Sequence, residues 1–190
     1  MEQVVLVDNR DCTLGSEEKM RAHRLGKLHR AFSIFVFNSA KELLLQRRAH
    51  IKYHSGGLWS NTCCGHPRPG ETINAAATRR LREEMGFICD LQECFNFLYR
   101  AKLDHALIEH EFDHVLLGRF SGAPAPDPTE VSEFRWMSLD RLRDAVATRP
   151  NDFTYWLRAA LQRNEWNSMV PRCNREPLRV TNGLVQDAAC

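Results

Sequence analysis

Apolar residues recur along this chain in short runs divided by polar turns, a pattern of strands more than of long helices. Residues 4–7 form one run, closed by the turn signal Asp8-Asn9-Arg10-Asp11, and read as the start of a hairpin. A polar segment of helical character runs from Ser16 to His23. Residues 31–37 and 42–47 read as a second hairpin across Asn38-Ser39-Ala40-Lys41. Residues 49–61 are polar, carry Gly56-Gly57 and read as loop. Strands are expected at 95–103 and 111–120, joined by a turn near Asp104, and at 133–137 after a Pro-rich loop. The clearest helix covers 72–85: Thr72 can cap its start, Ala75-Ala76-Ala77 favours helix, and Gly86 stands where a left-handed C-terminal residue belongs. Further helices are expected at 139–147 and 155–162. Strands flanked by a few helices, with mostly hairpin connections, predict an α+β fold of mixed β-sheet layers.

Composition bounds this picture without changing it. A chain of 190 residues, 43% hydrophobic and 26% charged, can fold around its own core. Residues 1–172 read as one domain, and 173–190 as a tail of no assigned role. With 26 basic against 24 acidic residues there is no electrostatic case for nucleic acid. Local arginine clusters (Arg47-Arg48, Arg68, Arg79-Arg80-Arg82) suit a small anion better. The start of the chain has no basic leader and no apolar run reaches membrane length, so the expectation is a cytoplasmic protein without a membrane partner. The seven cysteines (12, 63, 64, 89, 94, 173 and 190) then read as free thiols.

The chemistry concentrates from Cys64 to Gly86. Gly65 is followed after five residues by Glu71, and after seven more by Arg79-Arg80-Leu81-Arg82-Glu83-Glu84-Met85-Gly86-Phe87. This resembles the Nudix box, G-x5-E-x7-R-E-U-x-E-E-x-G-U, a loop–helix–loop that holds a diphosphate and its divalent cation. Every fixed position matches except one, where Arg80 stands for the Glu of the R-E pair. On a helix Arg80 shares a face with Glu84, as Arg79 does with Glu83. A carboxylate there can hold Mg²⁺ on phosphate oxygens, and an arginine one turn away can fork onto the same phosphates. Exchanging a metal ligand for a cation favours holding a diphosphate over cleaving it. For Arg79 and Glu83 a plain surface ion pair is an equal reading.

A wider set of motifs accompanies the box: Ala22-His23, Leu28-His29, Gln46-Arg47-Arg48-Ala49, Cys64-Gly65-His66-Pro67, Tyr99-Arg100-Ala101 and Glu109-His110-Glu111. Together they resemble the type 1 isopentenyl-diphosphate isomerases of the Nudix superfamily, over residues from about 4 to about 161. The resemblance implies that His23, His29, His66, Glu109 and Glu111 bind one divalent metal. Glu109 and Glu111, two apart on a strand, would point to one face and His110 to the other. Three imidazoles with two carboxylates suit Mn²⁺, Zn²⁺ or Fe²⁺. Gly26 between His23 and His29 permits the turn that would bring them together. A structural zinc site on Cys63, Cys64 and His66 would need a second ligand pair that the sequence lacks.

The implied reaction moves the double bond of a five-carbon isoprenoid diphosphate. A proton is added at one alkene carbon and another is removed two carbons away, on the opposite face. Cys64 and Glu111 match the family's catalytic positions, with Tyr99 supporting Glu111. Arg48, Lys52 and Arg80 match the diphosphate-binding positions, and Glu84 reaches Mg²⁺. Trp156 matches the position whose ring would face the carbocation, a contact worth roughly 2 kcal/mol when desolvated; core packing explains it equally. Of the adjacent cysteines, alignment with Gly65-His66 selects Cys64, since neighbours on an extended chain face opposite ways. The rivals are a Nudix pyrophosphohydrolase, which would release phosphate, and a diphosphate-binding module without chemistry.

Overall fold

The computed structural model describes residues 1–166; the tail of residues 173–190 lies outside them. In chain order the elements are β1 (Gln3–Val7), β2 (Thr13–Glu18), α1 (Lys19–Leu25), β3 (His29–Phe37), β4 (Glu42–Arg48), β5 (Trp59–Ser60), β6 (Cys63–Gly65), α2 (Ile73–Met85), β7 (Leu91–Lys102), β8 (Ile108–Arg119), β9 (Val131–Ser138), α3 (Leu139–Thr148) and α4 (Tyr155–Leu161). The α+β class is as expected. Strands and helices flank one another in a mixed sheet.

Two local expectations are corrected. The polar segment at 16–18 belongs to an exposed edge strand paired with β1, and the helix begins only at Lys19. Glu18 starts that helix, its carboxylate accepting from the Met20 and Arg21 amides at 2.8 and 2.7 Å. The hairpin of β3 and β4 is present, but the strands touch only at Phe37 and Leu43 and then part. β3 instead runs parallel to β8 over its whole length, while β4 pairs with β9. The reason lies in β3 itself. Its residues from Ala31 on are apolar apart from Ser33 and buried on both faces, the signature of a central strand and not of a two-stranded ribbon.

That double burial organises the core. Phe35 and Phe37 pack with Phe97, Val115, Leu142 and Leu157 under α3 and α4. Phe32, Ile34 and Val36 pack with Ala77, Leu81 and Met85 of α2 on the other side. The edge of β3 away from β8 is shared in turn by β1 at His29, β6 at Phe32 to Ile34, and β4 at Phe37. Cys64 on β6 and Glu111 on β8 therefore stand on either side of one buried strand.

The box glycines have steric reasons. Gly86 ends α2 at φ +74°, and a Cβ there would lie 2.2 Å from the Ala125 carbonyl oxygen. The Pro-rich loop closes on the helix end at this point, with the Ala125 and Asp127 amides donating to the carbonyls of Met85 and Glu84. Cysteines 63, 64 and 89 are free thiols as expected. Cys12 is disulfide-bonded, which corrects the reading of all seven as thiols.

A charged cluster fixes the first hairpin to the sheet. His114 donates to Glu93 Oε1 at 2.7 Å and lies 3.1 Å from Asp11 Oδ2, while Arg30 Nε donates to Asp11 Oδ1 at 2.7 Å. Burial pushes the His114 imidazole down, but the two carboxylates outweigh it and raise its pKa from 6.5 to about 9. Because the folded value lies above the unfolded one, this contribution is complete below about pH 6.5 and lost as pH rises through about 9. The shift caps it at about 3 kcal/mol, and screening at exposed Glu93 brings it nearer about 2 kcal/mol. Urea unfolding is expected to show that decline across the window, and His114→Gln to remove it; an unchanged slope in the variant contradicts the assignment.

Candidate active site

The residues singled out in the sequence converge on one cleft of about 550 Å³ counted with its open mouth. Cys64, His66, Tyr99, Glu109, Glu111, Glu84, Arg48, Lys52, Arg80 and Trp156 all line it. His23 and His29 lie behind this wall and are fully buried.

Local geometry explains how two histidines six residues apart meet. α1 carries His23 and stops at Gly26, whose φ of +61° reverses the chain so that β3 can begin at His29. The His23 and His29 rings then lie 4.8 Å apart. On β8, Glu109 and Glu111 face this pair, while His110 on the opposite face donates to the Gly26 carbonyl at 3.0 Å. His66 follows β6 and completes a group of five whose ligand atoms lie within 4.8 Å of one another.

The state of these atoms fits a cation. His23 and His29 each use Nδ1 on a backbone carbonyl, of Lys19 at 2.7 Å and of Lys27 at 2.8 Å. An N–H given to a carbonyl fixes the tautomer and leaves Nε2 bare and aimed inward, as metal ligation requires. His29 Nε2 faces His66 Nε2 at 3.2 Å, beside Glu111 Oε1 at 2.9 Å. Buried His23 Nε2 and Glu109 Oε2, 3.5 Å apart, have no hydrogen-bond partner. Burial and neighbouring His29 and Lys19 hold His66 well below its usual pKa, hence neutral. Nitrogen and carboxylate ligands in this number could hold a divalent metal ion.

At one end of the cleft, Tyr99 Oη donates to Glu111 Oε2 at 2.6 Å. Burial, reinforced by the charge on Glu111, holds that phenol protonated. Burial pushes the Glu111 carboxyl up, but its neighbours, the Tyr99 hydroxyl that donates to it and the adjacent imidazoles of His29 and His66, prevail and hold it ionised. Cys64 faces the cleft with its thiol pushed up to about 12, chiefly by burial; Arg48 is the influence that opposes it. Cys63 points the other way, fully buried against the α2 core. Trp156 is shared between the core and the cleft. It packs in the core, yet lines the cleft, with Nε1 donating to Ser60 Oγ at 2.9 Å and the Arg48 guanidinium 5.2 Å from its ring.

The opposite end is cationic. Arg48, Lys52 and Arg80 reach the cleft, whereas Arg47 turns away to the Gly57 carbonyl. Arg79 holds Glu71 through two bonds of 2.8 Å, pinning the box loop to its helix and drawing the Glu71 carboxyl down to about 2. It also meets Glu83 at 3.4 Å, so this part of the box is structural clamp. Arg80 pairs with Glu83, with buried Glu84 and, at 3.3 Å, with Glu130. Glu84 spends its second oxygen on Gln46 Nε2 at 2.9 Å.

Sequence reasoning missed several neighbours. Lys19, Tyr53 and His54 line the cleft. Glu130 bridges Lys52 and Arg80 from the end of the Pro-rich loop. Asp113 continues the Glu109–Glu111 face of β8, accepts from Ser33 Oγ at 2.8 Å and is held protonated by burial and the charge on Glu111. The alternation Glu-x-Glu-x-Asp on a strand was the available signal for Asp113. Lys19 and His54 carried none.

The NUDIX domain family model matches residues 27–157, more than half of the chain. The chain belongs to the NUDIX family. Solved structures agree on the fold: one from Deinococcus radiodurans superposes with a TM-score of 0.68 at 22% identity, covering 92% of this chain and all of that one. A MutT NUDIX hydrolase from Burkholderia pseudomallei gives 0.58 at 20% identity over 73% of this chain and 98% of its own.

Within that family the chain falls among the isopentenyl-diphosphate Delta-isomerases. It is 56% identical over 162 residues to isopentenyl-diphosphate Delta-isomerase 1 of Aromatoleum aromaticum, covering 85% of this chain and 92% of the relative. Its identity to the isopentenyl-diphosphate Delta-isomerase of Burkholderia multivorans is 55%, with the same coverage of each chain. The corresponding Serratia proteamaculans protein is 52% identical over 155 residues, 82% of this chain and 87% of that one. No helix among the described residues is long and apolar enough to cross a membrane.

Proposed function

We infer that this protein is an isomerase that interconverts isopentenyl and dimethylallyl diphosphate by a 1,3-allylic proton transfer. The observation that carries the reading is one cleft with a thiol and a carboxylate on either side of β3 and a cationic end that includes Arg80. The first pair suits proton transfer to and from carbon; the second suits a diphosphate.

In this reading one of Cys64 and Glu111 gives its proton to the terminal methylene carbon. The electrons of the double bond form the new C–H bond and leave a tertiary cation. The other residue takes a proton from the carbon two positions away, and that C–H pair becomes the new double bond. The two residues have then exchanged protonation states, so the reverse reaction runs with their roles swapped. Tyr99 keeps Glu111 oriented, and the Trp156 ring supplies an electron-rich face to the cation. Tyr99 and Trp156, both buried, also keep out water that would capture it.

His23, His29, His66, Glu109 and Glu111 would hold one cation of the Mn²⁺, Zn²⁺ or Fe²⁺ type, and Glu84 a Mg²⁺ shared with the substrate's diphosphate. Bound there, such ions supply positive charge that offsets two neighbouring carboxylates and the phosphate oxygens. Arg80, released from Glu84, forks onto the diphosphate with Arg48 and Lys52. Arg80→Ala is expected to raise KM about 10–100-fold with a smaller change in kcat, because a charged hydrogen bond made in ground and transition state alike is lost. A large fall in kcat at unchanged KM contradicts that role.

Phosphate release separates this reading from hydrolysis. With isopentenyl diphosphate or nucleoside diphosphates as substrate, neither phosphate nor nucleotide monophosphate should accumulate. Release at a rate comparable to isomerisation would favour the pyrophosphohydrolase.

A further inference from the structure

His54 is a buried imidazole that the reading above leaves without a role. It sits in the loop between β4 and β5, with a side chain only 3% exposed. Its Nε2 lies 3.0 Å from Glu109 Oε1. A carboxylate oxygen accepts, so His54 Nε2 is the donor in this contact. Nδ1 is then bare and lies 3.3 Å from the Ser55 hydroxyl, which can donate to it. Glu109 is thereby divided: Oε1 is engaged by His54, and unpartnered Oε2 turns toward His23.

The same residue ties this pocket to the diphosphate end. The His54 carbonyl accepts from Arg48 Nη2 at 3.3 Å, and its ring stands edge-on to Trp156 at 5.8 Å and to Tyr53 at 4.4 Å. The turn that delivers the ring inward is costly, since Ser55, a non-glycine residue, is held at φ +51°. Gly57 follows at φ +78°, its amide donating to the Arg48 carbonyl. A loop that only crossed the surface would have no reason to hold this shape.

We propose that His54 is a positioning residue that orients the Glu109 carboxylate for the metal and docks the loop that follows Arg48 and bears Lys52 onto the metal pocket. The inference rests on the reading that the three-histidine, two-glutamate group binds a divalent cation. Outer partners of metal-binding carboxylates fix the ligand before the ion arrives, and removing one typically costs 10–100-fold in affinity.

Mn²⁺ binding to the full chain, followed by electron paramagnetic resonance, tests it without reference to turnover. His54→Leu is expected to weaken Mn²⁺ binding about 10–100-fold, and His54→Gln, whose side-chain amide can reach Glu109 as Nε2 does, to restore it to within about threefold. A folded His54→Leu protein with unchanged affinity overturns the proposal. If the unaltered protein binds no Mn²⁺, the metal reading itself fails, a distinguishable result. Should His54→Leu not fold, ¹⁵N imidazole spectra of the unaltered protein titrated with Zn²⁺ decide the matter. His54 should keep its Nε2–H while His23, His29 and His66 take ligand shifts; a ligand shift at His54 would make it a metal ligand and overturn the proposal.

Discussion

Cys64→Ala is expected to lower isomerisation by at least about 10³-fold, the scale of a lost proton-transfer group. The neighbouring Cys63→Ala should leave most of it. The two thiols differ by one position and little else in the sequence, but the strand sends them to opposite faces. Cys64 meets the cleft, whereas Cys63 is fully buried among Leu81, Ala77 and Phe32 on the α2 side. The cost of Cys63→Ala should therefore appear in stability, at about 1 kcal/mol, not in turnover. Steady-state rates of both variants, with folding checked by circular dichroism, test the pair. The opposite pattern would remove Cys64 from the reaction.

Glu111→Gln is the second large effect, and it too should cost at least about 10³-fold. The amide keeps the size of the carboxylate but can neither take nor deliver the proton. It also strips the charge from the acceptor of the Tyr99 hydrogen bond and from a carboxylate that the cluster holds ionised. The loss should persist when Mn²⁺ and Mg²⁺ are saturating. That condition separates a proton-transfer role from metal retention alone. Near-normal turnover of the metal-loaded variant would exclude Glu111 as the transferring group.

The parts of this site that were legible in the sequence are those whose spacing has a local geometric meaning. Glu109 and Glu111 share a strand face because side chains alternate, and Gly86 ends α2 because that helix needs a left-handed residue there. The turn at Gly26 between His23 and His29 was legible for the same reason. Arg80 could be placed on the Glu84 face from helical spacing alone, and it lies there. What was not legible depends on which strands meet. The parallel pairing of β3 with β8 brings His29 beside Glu111 across 82 positions of chain, and no local pattern encodes it. His54, Lys19 and Glu130 enter the site by the same long-range route, from a loop, a helix start and a turn whose local sequences are ordinary. The edge strand β2 was misread because its side chains are polar and largely exposed, so apolar periodicity had nothing to report.

In the proposed reading Arg80 and the thiol–carboxylate pair favour isomerisation over hydrolysis and over simple binding, and one NMR experiment reads all three outcomes. Isopentenyl diphosphate incubated with the metal-loaded protein in D₂O should give dimethylallyl diphosphate in the ¹H and ³¹P NMR spectra. Deuterium should appear at the carbons where protons are exchanged, and no inorganic phosphate should form. Bound substrate that neither isomerises nor exchanges hydrogen, or diphosphate cleaved before any allylic product forms, would contradict the account.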